Sequence, residues 1–284
     1  MLRMRADMLK KIIRSTIPPF IYDFASFVKN SRNNNSKPEW HVIKNGDLQG
    51  RKIYADSSLR TWQADMVNGV YDKFLFEYIH NYDLKGKTVL DIGAHIGYHT
   101  MVFSSLVGGN GFVYAFEPNL SNAERLRSNL AENADLNSRV KILNLAVSDV
   151  EEEIDFYYSD NVDGGRSSGS FISKAHTYYP KTDDMLNSHK VTRVKTIRID
   201  KLDDYLGVSV VPVLIKIDVE GAECCVLAGA KKMLKEHRPI IIIEVHSIYN
   251  MFMVSNILRE CNYEQTLLKE ELDGRCFIAA KPIK

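Results

Sequence analysis

From residue 88 onward, apolar runs alternate with segments of helical periodicity, and this alternation constrains the fold more than any other feature of the chain. VPVLIKI (211–217) and IIIIEV (240–245) are almost uninterrupted by polar residues, as is typical of strands that are buried on both faces. Helices between such strands make consecutive strands parallel. The pattern predicts an α/β fold with a doubly wound, mostly parallel sheet covered by helices. The other runs of this kind are TVLDI (88–92), GFVYAF (111–116) and VKILNLAV (140–147).

The end of the chain contains two more strand-like runs, NYEQTLL (262–268) and RCFIAAK (275–281), on either side of the turn ELDG. They predict an antiparallel hairpin at the edge of the sheet, which gives seven strands with an antiparallel last strand. Residues 151–190, in contrast, are polar and rich in turn residues. Because loops of this length in compact domains are usually functional or disordered, we interpret 151–190 as a lid insertion.

Three regions are expected along the chain. Residues 1–38 begin with MLRMRADMLKKIIRS, a basic segment with apolar residues near helical spacing. We interpret them as an amphipathic extension that either makes a peripheral contact with a membrane or packs on its own domain or on a partner subunit, as in a homo-oligomer. Residues 39–86 are predicted to form a small cap of short strands and a helix. Residues 87–284 are predicted to form the α/β domain.

The composition narrows the class of protein and its compartment. Lys and Arg number 37 against 36 Asp and Glu, and the formal net charge of +1 argues against a nucleic-acid-binding protein. No apolar run approaches the roughly 20 residues that cross a bilayer, and no signal peptide is recognisable. We therefore expect a cytoplasmic protein, which residues 1–38 would place at the inner face of the membrane if they bind lipid.

The segment VLDIGAHIGYHT (89–100) passes from a predicted strand through two glycines into a helix. Such a turn leaves backbone N–H groups open to a ligand. A dinucleotide would favour G-x-G-x-x-G, whereas this chain has D-x-G-x-x-x-G, formed by Asp91, Gly93 and Gly97. A carboxylate beside the loop suits a cationic ligand without phosphate, such as S-adenosylmethionine. Asp91 is predicted to favour the methionyl ammonium, directly or through water.

Acidic residues also follow the next two strands. Glu117 comes directly after GFVYAF and is predicted to accept hydrogen bonds from the ribose hydroxyls. In NLAVSD (144–149), Ala146 and Val147 are predicted to flank the adenine, and Asp149 to accept from its amino group. Each acid alone is more often a helix cap or a solvent-facing residue. Their order and spacing together predict a methyl-donor site.

These motifs resemble the FkbM-type methyltransferases, a family within the class I S-adenosylmethionine-dependent enzymes. The resemblance covers about residues 60–284, and its most specific element is IKIDVEGAE (215–223). It implies a Rossmann-like sheet and O-methylation, commonly of sugar or polyketide-type hydroxyls. His95 departs from the family, which more often has Asn there, and its imidazole is expected to replace the amide as a donor-site group. The other matching motifs are VLDIGAHIGYHT, YAFEPN (114–119, with Pro118), NLAVSD, TIRIDKLDDYL (196–206) and IIIEVH (241–246).

Candidate catalytic residues follow two neighbouring strands. Asp218 comes after VPVLIKI, and Glu244 and His246 come at the end of IIIIEV. The carboxyl ends of these strands are expected to meet beside the donor methyl, so Asp218 is also a predicted donor contact. A sugar hydroxyl is a poor nucleophile, and either His246, which titrates nearest neutrality, or Asp218 is predicted to take its proton. A third option is a Mg²⁺ ion held by Asp218 and Glu244.

Several functions remain open at this stage. The favoured one is an S-adenosylmethionine-dependent O-methyltransferase that acts on a hydroxyl of a sugar, glycan or glycolipid, as in polysaccharide biosynthesis. A polyketide- or peptide-type secondary metabolite is the alternative acceptor. An NAD(P)-dependent oxidoreductase is disfavoured because G-x-G-x-x-G is absent around residue 93. A non-catalytic protein that binds the donor would keep the fold without turnover.

The membrane alternative for residues 1–38 predicts that they attach the chain to anionic vesicles, because a basic amphipathic helix gains both apolar burial and attraction to anionic lipids. In a liposome sedimentation assay the full chain should pellet with the vesicles, and a form that lacks residues 1–38 should stay in the supernatant. Equal pelleting of the two forms would contradict the membrane contact and leave the packing alternative.

Overall fold

The computed structural model describes residues 38–56, 62–158, 169–178 and 182–284. Almost all of the predicted extension 1–38 lies outside the described residues, and so do parts of the predicted lid, 159–168 and 179–181. Among the described helices, none combines the length and the apolar composition that crossing a lipid bilayer requires.

Strands alternate with helices along most of the described chain. The strands are β1 (Glu39–Val42), β2 (Lys52–Ala55), β3 (Thr88–Ile92), β4 (Phe112–Phe116), β5 (Val140–Leu143), β6 (Ala146–Val147), β7 (Glu153–Tyr158), β8 (Phe171–Ile172), β9 (Lys190–Ile197), β10 (Pro212–Ile217), β11 (Ile240–Val245), β12 (Tyr263–Glu270) and β13 (Cys276–Pro282). The helices are α1 (Trp62–Asn68), α2 (Lys73–Ile79), α3 (Tyr98–Val107), α4 (Leu120–Ala131), α5 (Ala134–Asn137), α6 (Ala175–Tyr178), α7 (Asp183–Ser188), α8 (Leu202–Leu206), α9 (Glu223–Ala228), α10 (Lys231–His237) and α11 (Ile248–Glu260). Short 3-10 helices lie at Gly46–Leu48 and Ile199–Lys201.

Seven strands form the central sheet, in the order β12-β13-β11-β10-β3-β4-β5. The strands from β11 to β5 are parallel, and β13 is antiparallel to both β11 and β12. The predicted α/β sheet with an antiparallel last strand is therefore confirmed, with the class I methyltransferase fold that the resemblance implies. β4 and β5 lie on one side of β3, and β10 and β11 lie on the other. The crevice between β3 and β10 is thus the topological switch point, where sheets of this kind bind ligands.

The register between β3 and β10 brings two loops together at this crevice. Lys216 lies opposite Asp91, and Ile217 lies opposite Ile92. One step further, the backbone N–H of Asp218 donates to the carbonyl oxygen of Ile92, at 3.0 Å. The glycine loop that follows β3 and the turn that follows β10 therefore leave the sheet side by side.

Successive strand residues point to opposite faces of the sheet, and both faces are buried. Leu90 belongs to an apolar cluster with side chains of α9, α10 and α11, whereas its neighbour Val89 belongs to a second cluster with α3 and α4. The second cluster also contains Ile53 and Leu75 from the predicted cap. The described residues of this cap, 39–56 and 62–86, thus pack on the sheet as part of its core, and β1 and β2 form an antiparallel pair within them.

The predicted lid contains more regular structure than its polar composition indicated. β7 pairs with β8 and β9, and β9 pairs with β6, which together make a second sheet in the order β6-β9-β7-β8. Ile154, Phe156 and Phe171 form a small buried cluster on this sheet. Ile172 lies opposite Phe156, and Phe171 lies opposite Tyr157, so apolar side chains lie on both faces of the β7–β8 pair.

Two predicted elements are each divided in the structure. VKILNLAV ends its first strand at Leu143, and the side chain of Asn144 then donates to the carbonyl oxygens of Glu117, at 2.8 Å, and Pro118, at 3.0 Å. The run AECCVLAGAKKMLKE (222–236) has the pattern of a single helix, but it is split into α9 and α10 at Gly229. There the backbone passes so close to Ser148 that a Cβ would overlap its carbonyl oxygen. Both divisions reflect tertiary contacts that local periodicity does not encode.

We predict that Gly93→Ala destabilises the protein far more than Gly274→Ala, a matched control. Both glycines have a left-handed backbone, with φ of +81° and +88°. A Cβ at Gly274 meets open space, whereas one at Gly93 would overlap the carbonyl oxygen of Asp218. Chemical denaturation should show a loss of about 1–2 kcal/mol for Gly274→Ala and about 2–5 kcal/mol for Gly93→Ala. Equal losses would contradict the close packing of the two loops.

Candidate active site

A cavity of about 710 Å³ lies at the carboxyl ends of β3, β4, β10 and β11. Its volume is within the range of small-molecule sites. Most of the site residues that were predicted from the sequence line this cavity, because the strand order brings the carboxyl ends of these strands together. These lining residues are Gly93, His95, Gly97, Glu117, Pro118, Ala146, Val147, Asp218, Glu244 and His246. The two remaining nominated residues, Asp91 and Asp149, do not appear in its wall.

The glycine loop turns the backbone from β3 into α3 through three left-handed residues, Gly93, His95 and Gly97. A Cβ at Gly97 would overlap the side chain of Leu126, so glycine is required where α3 begins. The ring of His95 lies 5.2 Å from that of Trp62, between centroids. Burial lowers the pKa of His95 to about 4, so its imidazole is neutral at physiological pH.

Glu117 is held by backbone N–H groups where β4 ends. One carboxylate oxygen accepts from the N–H of Asn119 and the other from the N–H of His95, both at 2.8 Å. Burial raises the pKa of Glu117 to about 7, although these hydrogen bonds oppose the shift. Each carboxylate oxygen accepts more than one hydrogen bond. The carboxylate is therefore oriented by the protein and still able to accept from a ligand in the cavity.

Asp91, a predicted donor contact, is not among the residues that line the cavity. Its side chain is 0% exposed, and it accepts a hydrogen bond from the Thr100 hydroxyl at 2.5 Å. Its other oxygen lies 3.4 Å from Nζ of Lys216, on the neighbouring strand. This position gives no support to a direct contact with the donor. The physical reason is the buried lysine, whose partner across the sheet could not be read from the local motif.

Asp149 is likewise engaged elsewhere. Its carboxylate accepts from Nζ of Lys174, in the predicted lid, at 2.8 Å and from the Ser148 hydroxyl at 3.0 Å. Burial would raise the pKa of Asp149, but these bonds outweigh it and lower the pKa. Asp149 therefore links the insertion to the chain after β6, while Ala146 and Val147 are the residues of this segment that reach the cavity.

His246 is the centre of a group of carboxylates. Its Nε2 lies 3.3 Å from Glu220, 3.8 Å from Glu244 and 3.9 Å from Asp218. Burial alone would lower the pKa of His246, but Glu223 and then Glu220 outweigh it and raise the pKa to about 10. The expectation that this residue titrates near neutrality is therefore not met, because the carboxylates around it stabilise the imidazolium.

Glu223 fixes the orientation of the His246 ring. This fully buried carboxylate lies 2.8 Å from Nδ1 of His246. It also accepts from the N–H of Gly221, at 2.9 Å, and from the side-chain amide of Asn250. With Nδ1 engaged by Glu223, Nε2 is the ring atom that faces the carboxylates at the cavity. From the sequence alone, Glu223 could equally be a residue that caps or pairs at the start of a helix.

Arg275 is a cavity residue that sequence reasoning missed. It donates to Glu244 at 2.6 Å. This ion pair would lower the pKa of Glu244, but burial and the nearby Asp218 outweigh it and raise the pKa to about 8. The signal that was available is the predicted terminal hairpin. Because β13 runs antiparallel beside β11, its first residues lie next to the end of β11.

Residues before β3 cover the glycine-loop side of the cavity. His99, on α3, lies 3.1 Å from the carboxylate of Asp72. The His99 ring also stacks on Tyr71, with 5.4 Å between centroids. Burial, followed by the charge of Asp72, raises the pKa of Tyr71 well above its usual value, so the phenol stays protonated. The segment 71–72 is thereby tied to the start of α3.

The chain is similar to known methyltransferases in sequence and in fold. The sequence model of the "Methyltransferase FkbM domain" matches residues 91–264, and no curated protein matches the chain. Among solved structures, the methyltransferase FkbM of Methylobacillus flagellatus KT is 19% identical, with a TM-score of 0.48. The match covers 70% of this chain and 44% of the Methylobacillus protein, so this chain spans less than half of that protein's length. An O-methyltransferase from Bacillus cereus, in complex with SAH, is 17% identical, covers 74% and 80% of the two chains, and has a TM-score of 0.44. From its sequence match over more than half of its length, the chain belongs to the FkbM methyltransferase family.

Proposed function

We propose that the protein is an S-adenosylmethionine-dependent O-methyltransferase whose acceptor is a hydroxyl of a sugar, glycan or glycolipid. The observation that carries the proposal is the position of Glu117. Its carboxylate is aimed by two backbone N–H groups into a cavity at the switch point of the sheet, directly beside the glycine loop. An acid at the end of this strand is where a ribose is held in folds of this type.

The residues of the cavity fit a nucleoside that carries no phosphate. Asp218 lines the cavity as an ionised carboxylate, which would repel a phosphate and attract a cation. The neutral His95 adds no positive charge beside the loop. Ala146 and Val147 are small apolar residues on the side where an adenine would lie. Bound S-adenosylmethionine would supply an electrophilic methyl group on a positively charged sulfur.

Asp218 is the residue that we place at the acceptor hydroxyl. Burial would raise the pKa of Asp218, but Lys216 and His246 outweigh it and lower the pKa, so the carboxylate is ionised. It lines the cavity and is partly accessible, with a side chain that is 26% exposed. An ionised carboxylate orients the hydroxyl oxygen and receives its proton as the oxygen gains the methyl group. His246, already protonated, is less suited to be the first base.

A magnesium site is the weaker account of the same residues. One donor atom each of Asp218, Glu244 and His246 lies within 4.8 Å of the others. Mg²⁺ prefers an all-oxygen shell, however, and two protein cations already lie beside the carboxylates, namely Lys216 at 3.5 Å from Asp218 and Arg275 at 2.6 Å from Glu244. The donor set fits the ion poorly, and we derive no step through a metal.

A sugar acceptor is supported by the composition of the outer wall. Phe74 and Phe277 line the cavity as an edge-to-face pair, with 5.0 Å between centroids. Aromatic rings pack against the apolar faces of sugar rings, while carboxylates such as Glu220 and Glu271 accept from hydroxyls. A polyketide-type acceptor would need fewer acceptor groups.

The proposal predicts that Glu117→Gln weakens the affinity for S-adenosylhomocysteine about tenfold or more. The measurement is made above pH 7, where Glu117 is ionised, because its pKa is about 7. A hydrogen bond to a charged group contributes about 1.5–3 kcal/mol, and about 1.4 kcal/mol corresponds to a factor of ten. Isothermal titration calorimetry measures the loss, with Glu124→Gln, an exposed position on α4, as the matched control. Unchanged affinity in Glu117→Gln would contradict the assignment of the ribose site.

Two further measurements separate the alternatives. Calorimetry with NAD should detect no binding, and binding of NAD in preference to S-adenosylhomocysteine would favour an oxidoreductase.

Transfer of a radiolabelled methyl group from S-adenosylmethionine to a panel of methyl glycosides should proceed in EDTA. Donor binding without transfer to any sugar, polyketide or lipid-linked glycan would leave a non-catalytic binding protein.

The assignment of Asp218 as the first base predicts that His246 stays protonated through neutral pH. Its pKa of about 10 in the folded protein exceeds the ordinary 6.5, so its ion pairs add stability fully below about pH 6.5, and this contribution is lost as the pH rises through about 10. Nitrogen-15 NMR titration, with the signal assigned by His246→Gln, measures the midpoint. A midpoint at or below pH 7 would restore His246 as the base.

A further inference from the structure

Lys216 is a buried cation at the point where the two loops of the donor site meet. Its residue is 3% exposed, and its Nζ donates to the carbonyl oxygen of Gly93 at 2.8 Å. The same atom lies 3.4 Å from Asp91 and 3.5 Å from Asp218. One ammonium group therefore joins the end of β3, the glycine loop and the turn after β10.

The carbonyl oxygen of Gly93 has few other ways to be held. Gly93 has a left-handed backbone, and its Cα approaches Asp218 so closely that no side chain fits between them. The peptide group after Gly93 leads into Ala94 and His95, and the N–H of His95 holds Glu117. The hydrogen bond from Lys216 thus fixes the peptide from which the loop reaches the predicted ribose acceptor.

Asp91 lies where its carboxylate can balance the charge of Lys216. Burial alone would lower the pKa of Lys216, but Asp91 and Asp218 outweigh it and raise the pKa, so the side chain remains charged. A charge at this depth needs a partner, because an unpaired buried ion is strongly destabilising. Asp91 meets that need from a position outside the cavity wall, with its second oxygen bonded to Thr100.

We propose that Lys216 positions the glycine loop for the donor, and that Asp91 acts on the donor only through Lys216. This inference rests on the proposed function and changes the role that the sequence predicted for Asp91. The acid of the D-x-G-x-x-x-G motif becomes the counter-ion of a positioning lysine. Substituting either residue should then weaken the binding of the nucleoside part of the ligand, which the loop contacts. The loss of affinity should be the same whether or not the ligand also carries an amino-acid part.

Two ligands distinguish the two roles of Asp91. S-adenosylhomocysteine carries the ammonium, whereas 5′-methylthioadenosine carries the same nucleoside without the amino-acid part. We expect Asp91→Asn and Lys216→Met to weaken both ligands about tenfold, by the same factor within twofold. The double variant should lose no more than Lys216→Met alone, because residues that act as a unit are not additive. Calorimetry is done well below each melting temperature, so that a loss of stability alone leaves the affinity unchanged.

Lys231→Met is the matched control, since it removes an exposed Lys–Glu ion pair, with Glu260, and does not line the cavity. It should bind both ligands as the wild type does. If Lys216→Met does not fold, the double variant with Asp91→Asn, which removes both buried charges together, is measured in its place with the same expected loss.

Three results would overturn the inference, and they are distinguishable. Loss of S-adenosylhomocysteine affinity alone in Asp91→Asn would return Asp91 to the ammonium. Wild-type affinity for both ligands in Lys216→Met would remove the positioning role of the lysine. In either case the proposed function stands, since the wild type binds the donor product. Binding of neither ligand by the wild-type protein would defeat the proposed function and the inference with it.

Discussion

The site depends on the close contact between the loops that follow β3 and β10. These strands are neighbours at the switch point of the sheet, and the backbone at Gly93 lies against the carbonyl oxygen of Asp218. The contact excludes any side chain at Gly93 and sets the distance between the donor side and the acceptor side of the cavity. Glu117 and His246 are each held relative to this pair of loops, one through the N–H of His95 and the other through the helix start at Glu223.

Three of the cations that line the cavity, Lys216, Arg275 and His246, each lie beside a carboxylate. Lys216 lies between Asp91 and Asp218, Arg275 bonds Glu244, and the imidazolium of His246 lies between Glu223 and the acids that face the cavity. Buried ion pairs contribute little net stability, because desolvation offsets the Coulomb attraction. Their use here is to hold acids in defined directions in a region of low dielectric. An ionised Asp218 beside an already protonated His246 follows from this arrangement.

Much of the fold was predictable because strands buried on both faces leave a continuous apolar signal, and residues at strand ends meet at one edge of a parallel sheet. Glu117, Asp218 and His246 were found in this way. Three features were not predictable for physical reasons. The partner of Asp91 lies on a strand 125 positions later. The strands of the lid are encoded by a few apolar residues in a polar segment. The pKa of His246 depends on three carboxylates that the fold brings together, Glu223, Glu220 and Asp218.

The central claim is that the cavity at the switch point receives the nucleoside of a methyl donor. A crystal structure of the protein with S-adenosylhomocysteine tests it most directly. The account predicts ribose hydroxyls within hydrogen-bond distance of Glu117, adenine against Ala146 and Val147, and the sulfur on the side of Asp218. Density for the ligand at any other place, or a ribose without contact to Glu117, would contradict the account.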